Sequence, residues 1–208
     1  MKKVAILGSG EVGIALAQGF EKHGHQVVMG TKNPNKKIEW KGKLVSYPDA
    51  ARTADLLVLA VKGSVAEDVV QAVAPHAAGK TVIDATNPIA DAPPQKGILS
   101  FFTTLDDSLM ERLQRAAPQA NFVKAFNTVG SDLMVNPQLK DGPPTMFICG
   151  NNEAARKEVA SILQIFGWES EDMGSAEAAR AIEPLCILWC IPGFVKNDWT
   201  HAFKMLRP

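Results

Sequence analysis

Three glycines, Gly8, Gly10 and Gly13, stand in G-x-G-x-x-G spacing at the end of an apolar run within Lys3 to Gly13 (KVAILGSGEVG). The chemistry that asks for this spacing is the grip of a dinucleotide pyrophosphate. The first glycine permits a tight turn, the second lets backbone approach the phosphates, and the third packs the new helix against the strand. The positive end of that helix then faces the anion. A second signal follows the next apolar run. A site for a dinucleotide with a free ribose 2′-hydroxyl places Asp or Glu about 20 residues after the glycines. This chain has Gly30-Thr31-Lys32 there. A hydroxyl and a cation suit a 2′-phosphate, which a carboxylate would repel, so the expected dinucleotide is NADP(H). Lys36, Lys37, Lys41 and Lys43 continue the basic stretch against the lone Glu39; Lys37, Lys41 and Lys43 are expected to be solvated loop residues.

The elements that must position these residues read as alternating strands and helices. Val4 to Leu7 is apolar throughout, as a parallel strand buried on both faces requires. Val12, Leu16 and Phe20 then recur at helical spacing, and Gly24 closes that helix. Further strands are expected at 25–30, 44–46, 54–61, 80–84, 120–126, 143–150 and 168–172. Helices are expected from Pro48, from Ser64 as cap to about Ala74, from Asp106 or Asp107 to about Ala117, and over 152–166. Such alternation predicts an α/β Rossmann-type, doubly wound and mostly parallel sheet, with a dinucleotide-binding domain over 1–173. Residues Ile89 to Leu105, with Pro93-Pro94 and Gly97, read as a long loop of the kind that forms lids.

The tail, 174–208, reads as a helical segment packed on the domain or on a partner subunit. A break is expected near Pro192-Gly193, followed by helical spacing of Trp199, Phe203 and Leu206. A homodimer contact is the economical expectation.

Composition narrows the function classes. The chain has 208 residues, with 22 Lys+Arg against 22 Asp+Glu, and so no overall field to draw it to nucleic acid. The apolar stretch Leu185 to Val195 falls short of the ~20 residues that span a bilayer, and no membrane role is expected. Cys149, Cys186 and Cys190 lack metal or redox spacing, which points to reduced thiols and a cytoplasmic protein. The four histidines do not cluster, no nucleophile elbow or H-E-x-x-H occurs, and no catalytic residue stands out. Asp84 and Glu183 are candidate buried carboxylates. Asn87, before Pro88, is a candidate for a ribose or carboxamide hydrogen bond and equally for a turn residue. A nicotinamide enzyme can work without an acid–base pair if its partner accepts hydride unprotonated, the protein then positioning and shielding.

Taken together, the motifs G-S-G-x-V-G, Gly30-Thr31-Lys32 with Lys36, Asn87-Pro88, Lys124-Ala125-Phe126-Asn127-Thr128, Cys149-Gly150-Asn151, Asp172-x-Gly174 and Glu183-Pro184-Leu185 fall in one order. In that order and over essentially the whole chain the sequence resembles the coenzyme F420-dependent NADP oxidoreductases, relatives of the cytoplasmic domains of ferric reductases. The resemblance implies that Ser9, Gly10, Glu11 and Val12 line the pyrophosphate, and that Thr31, Lys32 and Lys36 take the 2′-phosphate. Val61 and Lys62, with Asn87, Pro88 and Asn127, border the nicotinamide half. It implies hydride transfer between nicotinamide and a flavin-like acceptor, the deazaflavin coenzyme F420 or FMN/FAD, in a pocket closed by the tail. Lys62 stands where the family commonly has proline. Two other readings stay open: reduction of a small carbonyl, imine or metal chelate, and an NADP(H)-sensing protein without turnover.

Overall fold

A computed structural model describes residues 1–208. Six strands form one sheet: β1 (Lys3–Leu7), β2 (Gln26–Gly30), β3 (Lys43–Val45), β4 (Leu56–Leu59), β5 (Thr81–Asp84) and β6 (Asn121–Lys124). Their spatial order is β3-β2-β1-β4-β5-β6, every pairing parallel. The order reverses between β1 and β4, the topological switch at which such sheets bind ligands. All four residues of β4 are fully buried, which is why that strand reads as an unbroken apolar run rather than an alternation.

Helices cover both faces. On one lie α1 (Glu11–Lys22) and α5 (Glu153–Ile165); the other carries α2 (Tyr47–Thr53), α3 (Ala66–Ala77), α4 (Leu109–Ala116) and the short α6 (Ala179–Ile182). The odd and even residues of the strands feed two separate cores. Val4 and Ile6 join the first with Phe20 and Phe166, while Ala5 and Leu7 join the second with Val70 and Leu113. The remaining strands, β7 (Thr145–Ile148) and β8 (Glu169–Asp172), form their own parallel pair. That pair touches the main sheet through a single bridge, the Lys124 N–H to the Cys149 carbonyl at 3.0 Å.

Two helix starts differ from expectation. Ser64 does not cap; it sits in a turn of tighter helix, Gly63–Val65, ahead of α3. Ser108, not Asp106 or Asp107, caps α4, and it does so with a full capping box against Glu111. Asp107 instead pairs with Arg112 and Arg115.

The tail departs furthest. The final helix α7 (Leu185–Lys196) runs straight through Pro192. With the segments before it, the helical run spans Ala176–Lys196, 21 residues long and apolar enough by length and composition to cross a membrane. The expected stretch is shorter because the sequence predicts a break near Pro192-Gly193. Pro184 is tolerated because it precedes the first turn of α7, and Pro192 gives up only one bond near the helix end. Beyond Asn197, left-handed at φ 54°, no third helix forms. Residues 201–205 instead lie against β7: the Thr145 N–H donates to the Phe203 carbonyl at 2.9 Å and the Met205 N–H to the Thr145 hydroxyl at 3.1 Å. Trp199 lies on Gly193 and beside Trp189, while Leu206 is exposed.

Candidate functional site

Helix α1 begins at Gly10 with no side-chain cap, so the N–H groups of its first turn are left for an anion lying over the loop. Gly8 adopts φ +132°, and a Cβ there would run into the Ala60 carbonyl; a Cβ at Gly13 would run into the carbonyl of Gly8. A Cβ at Gly10 would meet nothing within 4 Å. Two glycines thus permit close packing and the third leaves room above the helix end. The resulting cleft, about 590 Å³, is lined by Gly8, Ser9, Gly10, Glu11, Val12, Tyr47, Ala60, Val61, Lys62, Val65 and Ala85. At its β2 side the Ser9 and Thr31 hydroxyls lie 3.2 Å apart, with Thr31 buried. Lys32 and Lys36 are exposed beyond Thr31, and neither has a carboxylate partner. This donor set fits a dinucleotide carrying a 2′-phosphate: helix N–H groups for the pyrophosphate, and a hydroxyl pair and two free cations for the extra phosphate.

A second cleft, about 370 Å³, opens beside the first and shares Val61, Lys62 and Ala85 with it. Its other walls are Gly63, Ser64, Thr86, Asn87, Ile89, Ala90 and Asp91. Asn87 is held by a reciprocal clasp: its Nδ2 donates to the Asn127 carbonyl at 2.7 Å, and Asn127 Nδ2 donates to Asn87 Oδ1 at 3.1 Å. Asn127 reaches this position because Phe126 before it takes a left-handed φ of 64°, a costly backbone for a buried aromatic. The Phe126 N–H faces the Met146 sulfur at 3.2 Å and its ring packs near Phe166. Pro88 and Asn127 are buried and do not line either cleft. The loop after Pro88 folds back, the Phe102 N–H donating to the Pro88 carbonyl at 2.9 Å. It packs Ile89, Leu99 and Phe101 on Cys186, Trp189 and Cys190 of α7, so the segment expected as a lid is built onto the tail.

Under this second cleft lies a fully buried charge cluster. Lys124 Nζ stands 2.7 Å from Asp84 Oδ2 and 2.9 Å from Glu183 Oε1, and donates to the Thr86 carbonyl at 2.9 Å. Burial alone would depress the lysine, but the two facing carboxylates outweigh it and hold the ammonium well above its usual range. The expected buried carboxylates Asp84 and Glu183 are therefore present; their common cation, Lys124, was not foreseen. Beside them Cys149, its thiol 3.5 Å from the Met110 sulfur, is pushed up to about 12 by burial, which makes it a poor nucleophile.

Sequence reasoning also missed Tyr47, the only tyrosine. It lines the first cleft, and burial raises its phenol, an effect partly offset by the backbone of Lys32. The available signal was its place directly after the third parallel strand, whose carboxyl end must face the same side as the others.

Comparison with known proteins follows this geometry. The family model described as NADP oxidoreductase coenzyme F420-dependent matches residues 3–88. The metalloreductase STEAP3 of Rattus norvegicus is 29% identical over 197 residues, 91% of this chain and 38% of that protein. The chain spans little more than a third of the metalloreductases it matches. The F420-dependent NADP reductase of Methanothermobacter thermautotrophicus is 26% identical over 217 residues, 95% of this chain and 92% of that one. A crystallised protein of Arthrobacter sp. FB24 assigned as an F420-dependent NADP-reductase superposes over the full length of both chains, with a TM-score of 0.92 and 30% identity.

Proposed function

This chain belongs to the coenzyme F420-dependent NADP oxidoreductases, and from that membership we propose that it moves hydride between NADP(H) and a flavin-like acceptor, coenzyme F420 or FMN/FAD. The observation that carries this reading is the joining of two clefts at Val61, Lys62 and Ala85, one fitted to phosphates and one open beside Asn87. Bound NADP(H) supplies the hydride. The protein's own work is to hold the pyrophosphate on the start of α1 and the 2′-phosphate at Thr31, Lys32 and Lys36. The Val61-Lys62 and Asn87 walls keep the nicotinamide half between the phosphate cleft and the acceptor cleft. Positioning of this kind needs no acid–base pair, since a ring acceptor takes hydride directly.

A second reading, reduction of a small carbonyl or imine, draws support from Lys62, which lines both clefts without an ion-pair partner and can donate a proton. Purified protein incubated with NADPH and, in turn, F420, FMN and small carbonyls or imines separates the two by nicotinamide absorbance. Oxidation only with the ring acceptors supports the first. Calorimetry showing no NADPH binding refutes both, and binding with no turnover by any acceptor favours a sensing protein.

We place the protein in the cytoplasm, and the tail supports this: Glu183 sits in the middle of the apolar helical run and is paired with Lys124, so the run cannot leave the domain without stranding buried charge. We also propose a homodimer, formed over Leu188, Phe194 and Val195 of α7 with Ile98 and Leu105 of the folded-back loop, all exposed. Light scattering tests it.

A further inference from the structure

We propose that the buried Asp84–Lys124–Glu183 triad is the positioning device for the acceptor end of the site, holding the Thr86 carbonyl and the helical tail in one register so that Asn87 meets the nicotinamide half of the dinucleotide. This rests on reading the two clefts as the nucleotide and acceptor ends.

Three charges fully out of water are costly, and apolar residues of the same volume often serve stability as well or better. What the ions add is direction. The Lys124 ammonium ties three separate segments: it donates a hydrogen bond to the Thr86 carbonyl in the loop after β5 and stands in ion-pair contact with Asp84 at the end of β5 and with Glu183 on the tail. Thr86 is further tied by its own N–H and hydroxyl to Asp84 Oδ1, at 2.9 and 2.7 Å. All its polar groups are therefore fixed, and Asn87 is the next residue. On its other side the Gly63 backbone packs so closely on the Asn87 carbonyl that only a residue without a Cβ fits there.

The tail is locked by the same groups. The Glu183 carboxylate accepts the Leu109 and Met110 N–H bonds at 3.0 and 2.9 Å, capping α4. The residue before it, Ile182, accepts from Asn127 Nδ2 at 3.2 Å, and Asn127 also clasps Asn87. The loop that lines the acceptor cleft and the helix that carries its lid are thus held through one ammonium and one amide.

The test uses the intact protein and two ligands: NADPH, and 2′,5′-ADP, which has the 2′-phosphate but no nicotinamide. Lys124→Met frees the Thr86 carbonyl but strands two carboxylates. Asp84→Asn/Lys124→Met/Glu183→Gln frees it with no buried charge left. In both, 2′,5′-ADP affinity is expected to stay within about twofold of the parent while NADPH binds about tenfold more weakly and loses the change in nicotinamide fluorescence, as misplacement of the binding groups implies. An unchanged ratio of the two affinities in the triple variant overturns the proposal. So does failure of that variant to fold, which would assign the triad to stability alone. A parent that binds neither ligand removes the nucleotide reading itself, a result distinct from the other two.

Discussion

Replacing Arg180 with Gln should destabilise the protein at neutral pH and not in acid. Arg180 holds Glu111 by two hydrogen bonds, Nε at 3.0 Å and Nη2 at 2.6 Å, and so clamps the helical tail to the first turn of α4. The Arg180 guanidinium, with help from Ser108, holds the Glu111 carboxyl at about 2 instead of 4.5. One pKa unit is about 1.4 kcal/mol, so the depression is worth at most about 3.5 kcal/mol. The Arg180 side chain is 39% exposed, and solvent screening with the share owed to Ser108 leaves about 1–2 kcal/mol of the Glu111 contribution. A carboxyl whose folded pKa is depressed stabilises fully above its unfolded value, and that contribution is lost as pH falls through the folded one. The difference between parent and Arg180→Gln should therefore be constant above about pH 5.5, roughly half gone by pH 3, and absent below pH 2. Urea unfolding at pH 7, 5 and 3 measures it. In a chain of this length the pH 7 difference corresponds to about 2–8 °C in Tm. A pH 7 difference below about 0.3 kcal/mol, or one unchanged at pH 3, would refute the reasoning, since exposed pairs of no consequence fall in that range.

Lys32→Asp should turn preference from NADPH toward NADH, costing about 1.5–3 kcal/mol of NADPH affinity for the lost charge-assisted contact; retained NADPH affinity in calorimetry would remove Lys32 from the phosphate site. Gly8→Ala should cost about 2 kcal/mol or more in stability, since it combines a positive φ with overlap on the Ala60 carbonyl, and NADPH binding should be lost with it; denaturant midpoints and calorimetry report both. With its thiol held at about 12, Cys149 should resist alkylation at pH 8 in the native protein and react once unfolded, as mass spectrometry of the labelled peptide will show.

The glycine loop, the uncapped start of α1 and the first cleft beside them were legible from residues alone because their demands are local. A turn too tight for a Cβ, a helix start open to an anion and a missing carboxylate after β2 all lie within residues 3–36. Strands buried on both faces also announce themselves as apolar runs, so Val4–Leu7 and Leu56–Leu59 were plain. The second cleft was not, because its parts are distant in sequence and meet only through the fold. Lys124 reads as one more lysine until the sheet sets it against Asp84 on the neighbouring strand and the tail returns Glu183 to it. Asn127 points at Asn87 only because packing against Phe166 and Met146 holds Phe126 in a backbone conformation its own preference disfavours. Pro192 breaks helices by propensity, yet α7 continues because Trp189, Cys190 and Gly193 are buried on either side of it. Local chemistry thus dictated the glycine turn and the open start of α1; the tertiary structure alone decided what stands beside them, because burial and long-range pairing can override the preferences a short stretch of sequence displays.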